Sequence, residues 1–389
     1  MLRGKKILLG ITGGIAAYKA VDLASRLTKS GAIVKTIMTN NACEFVKPIT
    51  FKSITHQPVI TKMFNEEADI EHISLADWAD LLVIAPATAN IIGKVASGIA
   101  DDLLSTTIMA ITSPVFFIPA MNINMFNNSI VQKNITKLTD LGYLFMEPEI
   151  GMLACGYEGK GRYPDNKEIF YYISAYISYK QDLVGKNILV TAGANQEKID
   201  PMRFITNYSS GKMGLAIARA AHIRGANVKL VYAGVSDKVP EYLDSIEAYS
   251  AEEMHQVVSK EYEAADITIM TAAVADYTPK TYSKQKIKKT DNFKLELNRT
   301  NDILKELGDN RTNGQILVGF AAESNDIVEN AIVKLNEKNL DFICANDLKV
   351  SGKDETCITV ISKDSQKKYD GEKFEVAHKI LDTIIKKAE

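Results

Sequence analysis

Asp200-Pro-Met-Arg-Phe-Ile-Thr-Asn-Tyr-Ser-Ser-Gly-Lys-Met-Gly214 is the stretch on which the fold turns. It follows an apolar strand, Asn187–Thr191, and leads into an amphipathic helix, Leu215–Arg224, with a second strand at Val228–Tyr232. Strand, loop, helix, strand is the opening unit of a nucleotide-binding α/β sheet. A helix N-terminus preceded by Ser209, Ser210 and Gly211 presents unpaired backbone N–H groups and a positive dipole end to an anion. Lys212 adds a mobile charge, and Arg203 a planar fork that suits phosphate or carboxylate. The stretch is not an ordinary P-loop, which requires glycine where Thr206 stands and a hydroxyl residue where Met213 stands. The plain alternative is a surface loop capped by two serines.

Downstream, strands are expected at Ile267–Thr271, Ile316–Phe320, Phe342–Ala345 and Ile358–Ile361, with helices around 251–263, 326–338 and 372–387. Strands end in small and polar residues at Ala272-Ala-Val-Ala-Asp-Tyr277, Val318-Gly-Phe-Ala-Ala-Glu323 and Cys344-Ala-Asn-Asp347. Such ends belong to one crevice that receives a sizeable ligand. Lys286-Ile-Lys-Lys289 can supply charge for a triphosphate there, although a lysine run on its own is usually a solvated face.

Upstream, a second βαβ start is visible. Lys5–Ile11 is a strand, Thr12-Gly13-Gly14 a tight turn, Ile15–Ser30 a helix closed by Gly31, and Ile33–Met38 a strand. The spacing is not that of a dinucleotide fingerprint. Strands at Leu81–Ala85 and Val115–Ile118 run into Pro86-Ala-Thr-Ala-Asn90 and Pro119-Ala-Met-Asn-Ile-Asn-Met125. The glycine-rich segment 151–162 predicts a flexible flap carrying Cys155, and Asp165–Tyr179 a helix. His72, ahead of the Leu81 strand, can exchange a proton or hold a carboxylate, or is simply a helix-surface histidine. Asn122 can bind a carboxylate or serve as a turn residue. Cys155 is a thiol donor or a small buried hydrophobe.

At 389 residues, two domains are expected, divided as 1–186 and 187–389. A hydrophobic content of 46% and a charged content of 24% describe a soluble globular protein, and a net charge of −2 offers no field for nucleic acid or an anionic membrane. The apolar regions 81–100 and 106–126 are interrupted by prolines and polar residues, so no membrane span is expected. The four cysteines form no CxxC pair, and no N-terminal targeting signal is visible; both favour a cytoplasmic setting without a zinc site.

Taken together, T-G-G-I-A-A-Y-K, the His72 segment, P-A-M-N-I-N-M, L-A-C-G-x-x-G-x-G-R, the 200–214 stretch, A-A-V-A-D-Y, K-I-K-K and V-G-F-A-A-E closely resemble one family over essentially the whole chain. It is the bifunctional bacterial phosphopantothenoylcysteine decarboxylase/phosphopantothenate–cysteine ligase of coenzyme A synthesis. The chain departs from the family pattern at Phe126, Ala194, Asn195, Gln196, Thr300 and Asn301.

The resemblance implies two three-layer Rossmann-like domains, the first flavodoxin-like. That domain would bind FMN through Gly13, Gly14, Ile15, Thr39, Ala87 and Thr88, and decarboxylate 4′-phosphopantothenoylcysteine. The flavin would oxidise the thiol carbon to a thioaldehyde, and loss of CO2 would leave an enethiol for reduction. His72 would serve the first half, Asn122 would grip the carboxylate, and Cys155 would donate the last proton.

The second domain would use CTP and Mg²⁺ to activate 4′-phosphopantothenate as an acyl-cytidylate, which the amine of cysteine attacks. By motif, Asn207 would stabilise that step and Lys286 would be required for ligation. Ala272, Ala273, Val274, Asp276, Lys286, Asn301, Asp302, Ile303, Leu304, Phe320, Lys334 and Lys338 would line the CTP site. Arg203, Ser209, Ser210, Gly211 and Lys212 are the substrate-side candidates. The family also implies a homo-oligomer. Two competing readings are a flavoprotein regulatory subunit that has lost catalysis and a two-domain NAD(P) oxidoreductase.

Overall fold

Apolar runs bounded by glycine turns become strands covered on both faces, and the amphipathic segments between them become the covering helices. The computed structural model describes residues 2–64, 71–152, 156, 158–240, 242–289, 293–312, 314–323, 326–347 and 353–386. The chain divides into two compact units, Met1–Tyr179 and Lys180–Glu389.

The first unit begins with β1 (Lys6–Ile11), α1 (Ala17–Lys29), β2 (Ile33–Met38), α2 (Asn40–Phe45), α3 (Pro48–Thr55), β3 (Val59–Ile60), α4 (Glu71–Trp78) and β4 (Leu81–Ala87). It continues with α5 (Ala89–Ala96), α6 (Leu103–Ala110), β5 (Val115–Pro119), α7 (Ile123–Phe126), α8 (Ser129–Asp140), β6 (Leu144–Phe145), β7 (Glu149–Met152), β8 (Glu158–Arg162) and α9 (Asn166–Ser178). Six parallel strands lie in the order β3-β2-β1-β4-β5-β6. β4 is buried at every position, as a central strand of a doubly covered sheet must be. Ile91, Ile92, Leu104 and Leu138 of α5, α6 and α8 pack on Leu8, Leu82, Ile84 and Phe117 of the sheet. α1 packs with α3 and α9.

The described part of segment 151–162 is not a loose loop. β7 and β8 form an antiparallel hairpin whose Gly161 carbonyl accepts from Met121 N at 3.0 Å. A Cβ on Gly159 would lie 2.1 Å from Ile123 Cδ1, and one on Gly161 2.3 Å from the Met121 carbonyl oxygen. Close docking on the Met121–Ile123 segment accounts for these two glycines.

The second unit runs β9 (Asn187–Gly193), β10 (Gln196–Asp200), β11 (Arg203–Thr206), α10 (Lys212–Ile223), β12 (Asn227–Ala233), β13 (Asp244–Glu247), α11 (Ala251–Tyr262), β14 (Ile267–Met270) and β15 (Tyr277–Pro279). Then come β16 (Leu297–Arg299), α12 (Ile303–Asp309), β17 (Ile316–Glu323), α13 (Ile327–Glu337), β18 (Phe342–Asp347), β19 (Glu355–Ile361), β20 (Gln366–Glu372) and α14 (Lys373–Ile385). Its eight-stranded sheet has the order β13-β12-β9-β14-β17-β18-β19-β20, with only the last two strands added antiparallel. Met254, Leu307 and Leu335 bring α11, α12 and α13 onto Val231, Leu317 and Ile343. α10 packs against α14.

Both sheets are doubly wound: strand order reverses between β1 and β4, and again between β9 and β14. Residues 180–186 are held in the second unit. Buried Arg224 donates Nε and Nη2 to Asp182 at 2.8 and 2.6 Å, and its Nη1 lies 2.7 Å from Asp382. One feature differs from the sequence expectation: the first part of the 200–214 stretch is paired. β10 and β11 form a hairpin with a bulge between Lys198 and Asp200, and α10 starts at Lys212.

Candidate functional site

At the carboxyl ends of β14, β17 and β18, beside the turn into α10, opens a cleft of about 750 Å³. It gathers nearly all of the residues that the motifs single out in the second half. Asn207, Ser209, Ser210, Gly211 and Lys212 come from the approach to α10; Ala272, Ala273, Val274 and Asp276 follow β14. Asn301, Asp302, Ile303 and Leu304 come from the start of α12, Phe320 from β17, and Lys334 and Lys338 from the end of α13.

The two helical walls differ in charge. On one, Asp302 caps α12 by accepting from Lys305 N at 3.1 Å, and its carboxylate pairs with Lys338 Nζ at 2.8 Å. On the other, α10 starts from Gly211 in a left-handed conformation (φ 70°), with no side-chain cap and no acidic residue in its first turn. Its N–H groups therefore remain available to an anion. Lys212 pairs with Asp354 at 2.7 Å, so its charge is anchored, not mobile. Lys373, the first residue of α14, also lines this wall. Burial, then the neighbouring Lys212 charge, push the Lys373 ammonium pKa below its ordinary value. A phosphate arriving here would meet a poorly hydrated cation, which strengthens the attraction.

Asn207 Nδ2 lies 3.4 Å from the Ala273 oxygen and 3.2 Å from the Val274 oxygen, bracing the strand-end loop from across the cleft. Gly193 O accepts from Ala273 N at 2.8 Å and holds the same loop from below.

Arg203 and Lys286 are not among the residues lining this cleft. Arg203 gives Nε and Nη2 to Asp200 at 3.0 and 2.5 Å, and Nη2 also reaches the Ile287 oxygen at 2.9 Å. The Arg203 bond holds the Asp200 carboxyl well below the usual carboxylate range, with Ile287 N and Met202 N donating further. Asp200 thereby ties the segment bearing exposed Lys286 to the hairpin. The departures at 194–196 lie at the root of this hairpin. Asn195 is buried and bonds the Ala248 and Tyr249 oxygens at 3.2 and 3.3 Å, so it shapes the hairpin and not the cleft wall.

Sequence reading missed Lys373 and Thr356 in the cleft. Lys373 is one lysine in a charged helix start, and only the antiparallel return of β19 and β20 brings it to the site. No local pattern signals that.

In the first unit the corresponding strand ends are laced together. Thr12 Oγ1 donates to the Pro86 oxygen at 2.7 Å and accepts from Thr88 N at 3.2 Å, while Ala120 N donates to the Ala87 oxygen at 3.1 Å. Gly13, Gly14 and exposed Ile15 follow β1; Thr39 follows β2 and caps α2 by accepting from Ala42 N at 3.3 Å. α1 and α5 both start without a side-chain cap or an acidic residue in the first turn. In α1 the Ala17 and Lys19 N–H groups already donate to the Gly14 and Ala16 oxygens, so the uncapped start of α5 is the end that suits a phosphate-bearing ligand at the sheet's switch point. Asn122 caps α7, its Oδ1 accepting from Asn124 N at 2.8 Å. His72 is half-buried in the first turn of α4. Cys155 lies outside the described residues.

Among the described residues no group of three His, Cys, Asp or Glu side chains could hold a metal ion, and no helix is long and apolar enough to cross a membrane.

The family model "Flavoprotein" matches residues 1–178, and "DNA/pantothenate metabolism flavoprotein C-terminal domain" matches residues 183–388. The "Coenzyme A biosynthesis bifunctional protein CoaBC" of Bacillus subtilis is 49% identical over 95% of this chain and 93% of its own length. The protein of that name from Haemophilus influenzae is 42% identical over 99% of this chain and 98% of its own. A solved structure, the C-terminal domain of coenzyme A biosynthesis bifunctional protein CoaBC, is 42% identical over 53% of this chain and 96% of that one, with a TM-score of 0.46.

Proposed function

Because this chain belongs to the family of coenzyme A biosynthesis bifunctional proteins, we propose that its second unit ligates cysteine to 4′-phosphopantothenate and its first decarboxylates the product. The observation that carries the ligase half is the single cleft in which the nucleotide-motif residues meet around an uncapped, lysine-flanked helix end. In the first step a 4′-phosphopantothenate carboxylate oxygen bonds the α-phosphorus of CTP, and pyrophosphate leaves. In the second, the amine of cysteine adds to the acyl carbon, its C–O bond to CMP breaks, and the amine loses a proton.

Lys212, Lys373 and the α10 N–H groups bind the phosphates. Ala272–Val274, Ile303, Leu304 and Phe320 enclose the nucleoside, with Asp276, Asn301, Asp302, Lys334 and Lys338 around it. Asn207 acts on the acyl-cytidylate. Ser209, Ser210 and Arg203 serve the substrate side, and Lys286 acts from its tethered segment. Mg²⁺ enters with the triphosphate as part of the substrate.

The first unit fits FMN: Gly13, Gly14 and Ile15, with Thr39, Ala87 and Thr88, lie about two helix starts that no side chain caps. FMN, when bound, supplies the electron sink that decarboxylation requires. The chain's own residues do the rest. Asn122 orients the departing carboxylate, His72 exchanges a proton at the thiol carbon's end, and the β7–β8 hairpin excludes water. Cys155 delivers the last proton. Cys155→Ser is expected to release CO2 but accumulate a product two hydrogens short of 4′-phosphopantetheine, read by mass spectrometry. Normal 4′-phosphopantetheine from that variant removes the thiol from the reaction.

The enzyme works in the cytoplasm as a homo-oligomer. Free Cys43, Cys344 and Cys357 suit a reducing compartment, and exposed Met202, Phe204 and Tyr208 around the β10–β11 hairpin suit self-association.

The test is one assay: pyrophosphate and CO2 release from 4′-phosphopantothenate, cysteine and Mg²⁺, with CTP compared with ATP. Pyrophosphate with CTP together with CO2 is expected. Neither product from a folded yellow protein would leave the regulatory-subunit reading instead.

A further inference from the structure

A hydrogen-bonded chain of three side chains runs through the wall of the cleft on the α11–α12 side. His255 Nε2 on α11 lies 2.8 Å from Glu306 Oε2 on α12, and His255 Nδ1 lies 3.4 Å from Asn301 Nδ2. An ionised carboxylate only accepts, so Nε2 carries a hydrogen, and in the neutral imidazole Nδ1 is left as an acceptor. Asn301 must then turn its NH2 group toward His255, and its carbonyl oxygen becomes the edge offered to the cleft that Asn301 lines. The His255 side chain is only 18% exposed, so the chain is held by packing as well as by its bonds.

Charge decides which part of a nucleotide meets this wall. Asp302 already occupies the start of α12, it pairs with Lys338, and Glu306 stands one turn further on. Lys305, Lys334 and Lys338 offset these acids, but the capped start of α12 leaves an anion no open helix end there. The α10 wall has no acid in its first turn and carries Lys212 and Lys373, so the phosphates belong on that side. The base is then directed to Ile303, Leu304 and Phe320, beside Asn301. On cytosine the 4-position carries an amino donor; on uracil it carries a carbonyl acceptor.

We propose that Asn301, positioned by His255 and Glu306, accepts from the exocyclic amino group of the base and so selects an amino-pyrimidine over a keto-pyrimidine nucleotide. The proposal rests on the reading of this cleft as the CTP site. Asn301 touches the base; His255 is a positioning residue, because an amide free to flip would serve both bases equally.

The experiment measures kcat/KM for CTP and for UTP by pyrophosphate release, using the full-length protein with 4′-phosphopantothenate, cysteine and Mg²⁺. Wild type is expected to prefer CTP. His255→Leu should reduce the CTP:UTP ratio by about tenfold, carried by KM for CTP, the scale of one aligned hydrogen bond lost and one repulsion relieved. His255→Gln, whose amide can donate to Glu306 and accept from Asn301, should restore the ratio. Asn301→Leu should lower it, and adding His255→Leu to that variant should lower it no further. An unchanged ratio in Asn301→Leu, or equal losses with both nucleotides in His255→Leu, overturns the proposal. A wild-type protein that uses neither pyrimidine nucleotide overturns the CTP reading itself, a result distinct from either of these.

Discussion

Gly193→Ala is expected to destabilise the second unit by about 3–5 kcal/mol and to abolish ligation. Gly193 ends β9 with φ 85°, where an L-residue is strained, and an added Cβ would lie 1.6 Å from the Ala233 oxygen of β12. That oxygen is not free to retreat, because it accepts from Ala194 N at 2.8 Å. β9 and β12 would have to part at the end where the cleft begins, and Gly193 O would lose its hold on Ala273 N. The cost is a large share of a typical domain's stability. The sequence holds a single tryptophan, Trp78, and it lies in the first unit. A guanidinium titration can therefore follow Trp78 fluorescence beside far-UV circular dichroism. The dichroism transition should move to lower denaturant while the Trp78 transition stays in place. Wild-type transitions by both probes would show that the strand end relaxes without loss.

Legibility of the sequence followed the range of the forces involved. Central strands such as Leu81–Ala87 and Asn187–Gly193 announce themselves because burial on both faces demands continuous apolar runs. The cleft was legible too, since small and polar residues just past a strand mark the ligand end of a doubly wound sheet. The residues that escaped are those whose meaning depends on a distant partner. Arg203 reads as an anion fork from its type, yet its fork is filled by Asp200, and the pairing exists only because β10 and β11 fold back with a bulge. Glycines at 159 and 161 read as freedom, whereas the structure uses them as space for Ile123 and Met121. His255 and Glu306 sit on separate helices, and no periodicity within either one brings them to Asn301.

Asn207→Asp is expected to slow consumption of the acyl-cytidylate by about 10²–10³-fold, the scale on which one preorganised amide donor acts in acyl transfer. The substitution changes almost no volume but replaces a donor with a carboxylate. In the wild-type protein Nδ2 faces two carbonyl oxygens, those of Ala273 and Val274, at 3.4 and 3.2 Å. An aspartate oxygen in that place faces the same two acceptors with nothing to donate, and it brings negative charge toward a phosphate-bearing intermediate. The side chain must swing away, and with it goes the amide that the proposed role turns from these carbonyls to the reacting group. Rapid-quench measurements with CTP and 4′-phosphopantothenate should still show a burst of pyrophosphate, followed by an accumulated acyl-cytidylate that cysteine discharges slowly. Were Asn207 only a brace for the 273–274 loop, the burst itself would shrink and KM for CTP would rise, because that loop lines the cleft proposed for the nucleotide. The two halves of the reaction therefore separate the roles. Loss confined to the second half assigns Asn207 to the chemistry, loss in both assigns it to loop support, and wild-type rates in both remove it from the mechanism.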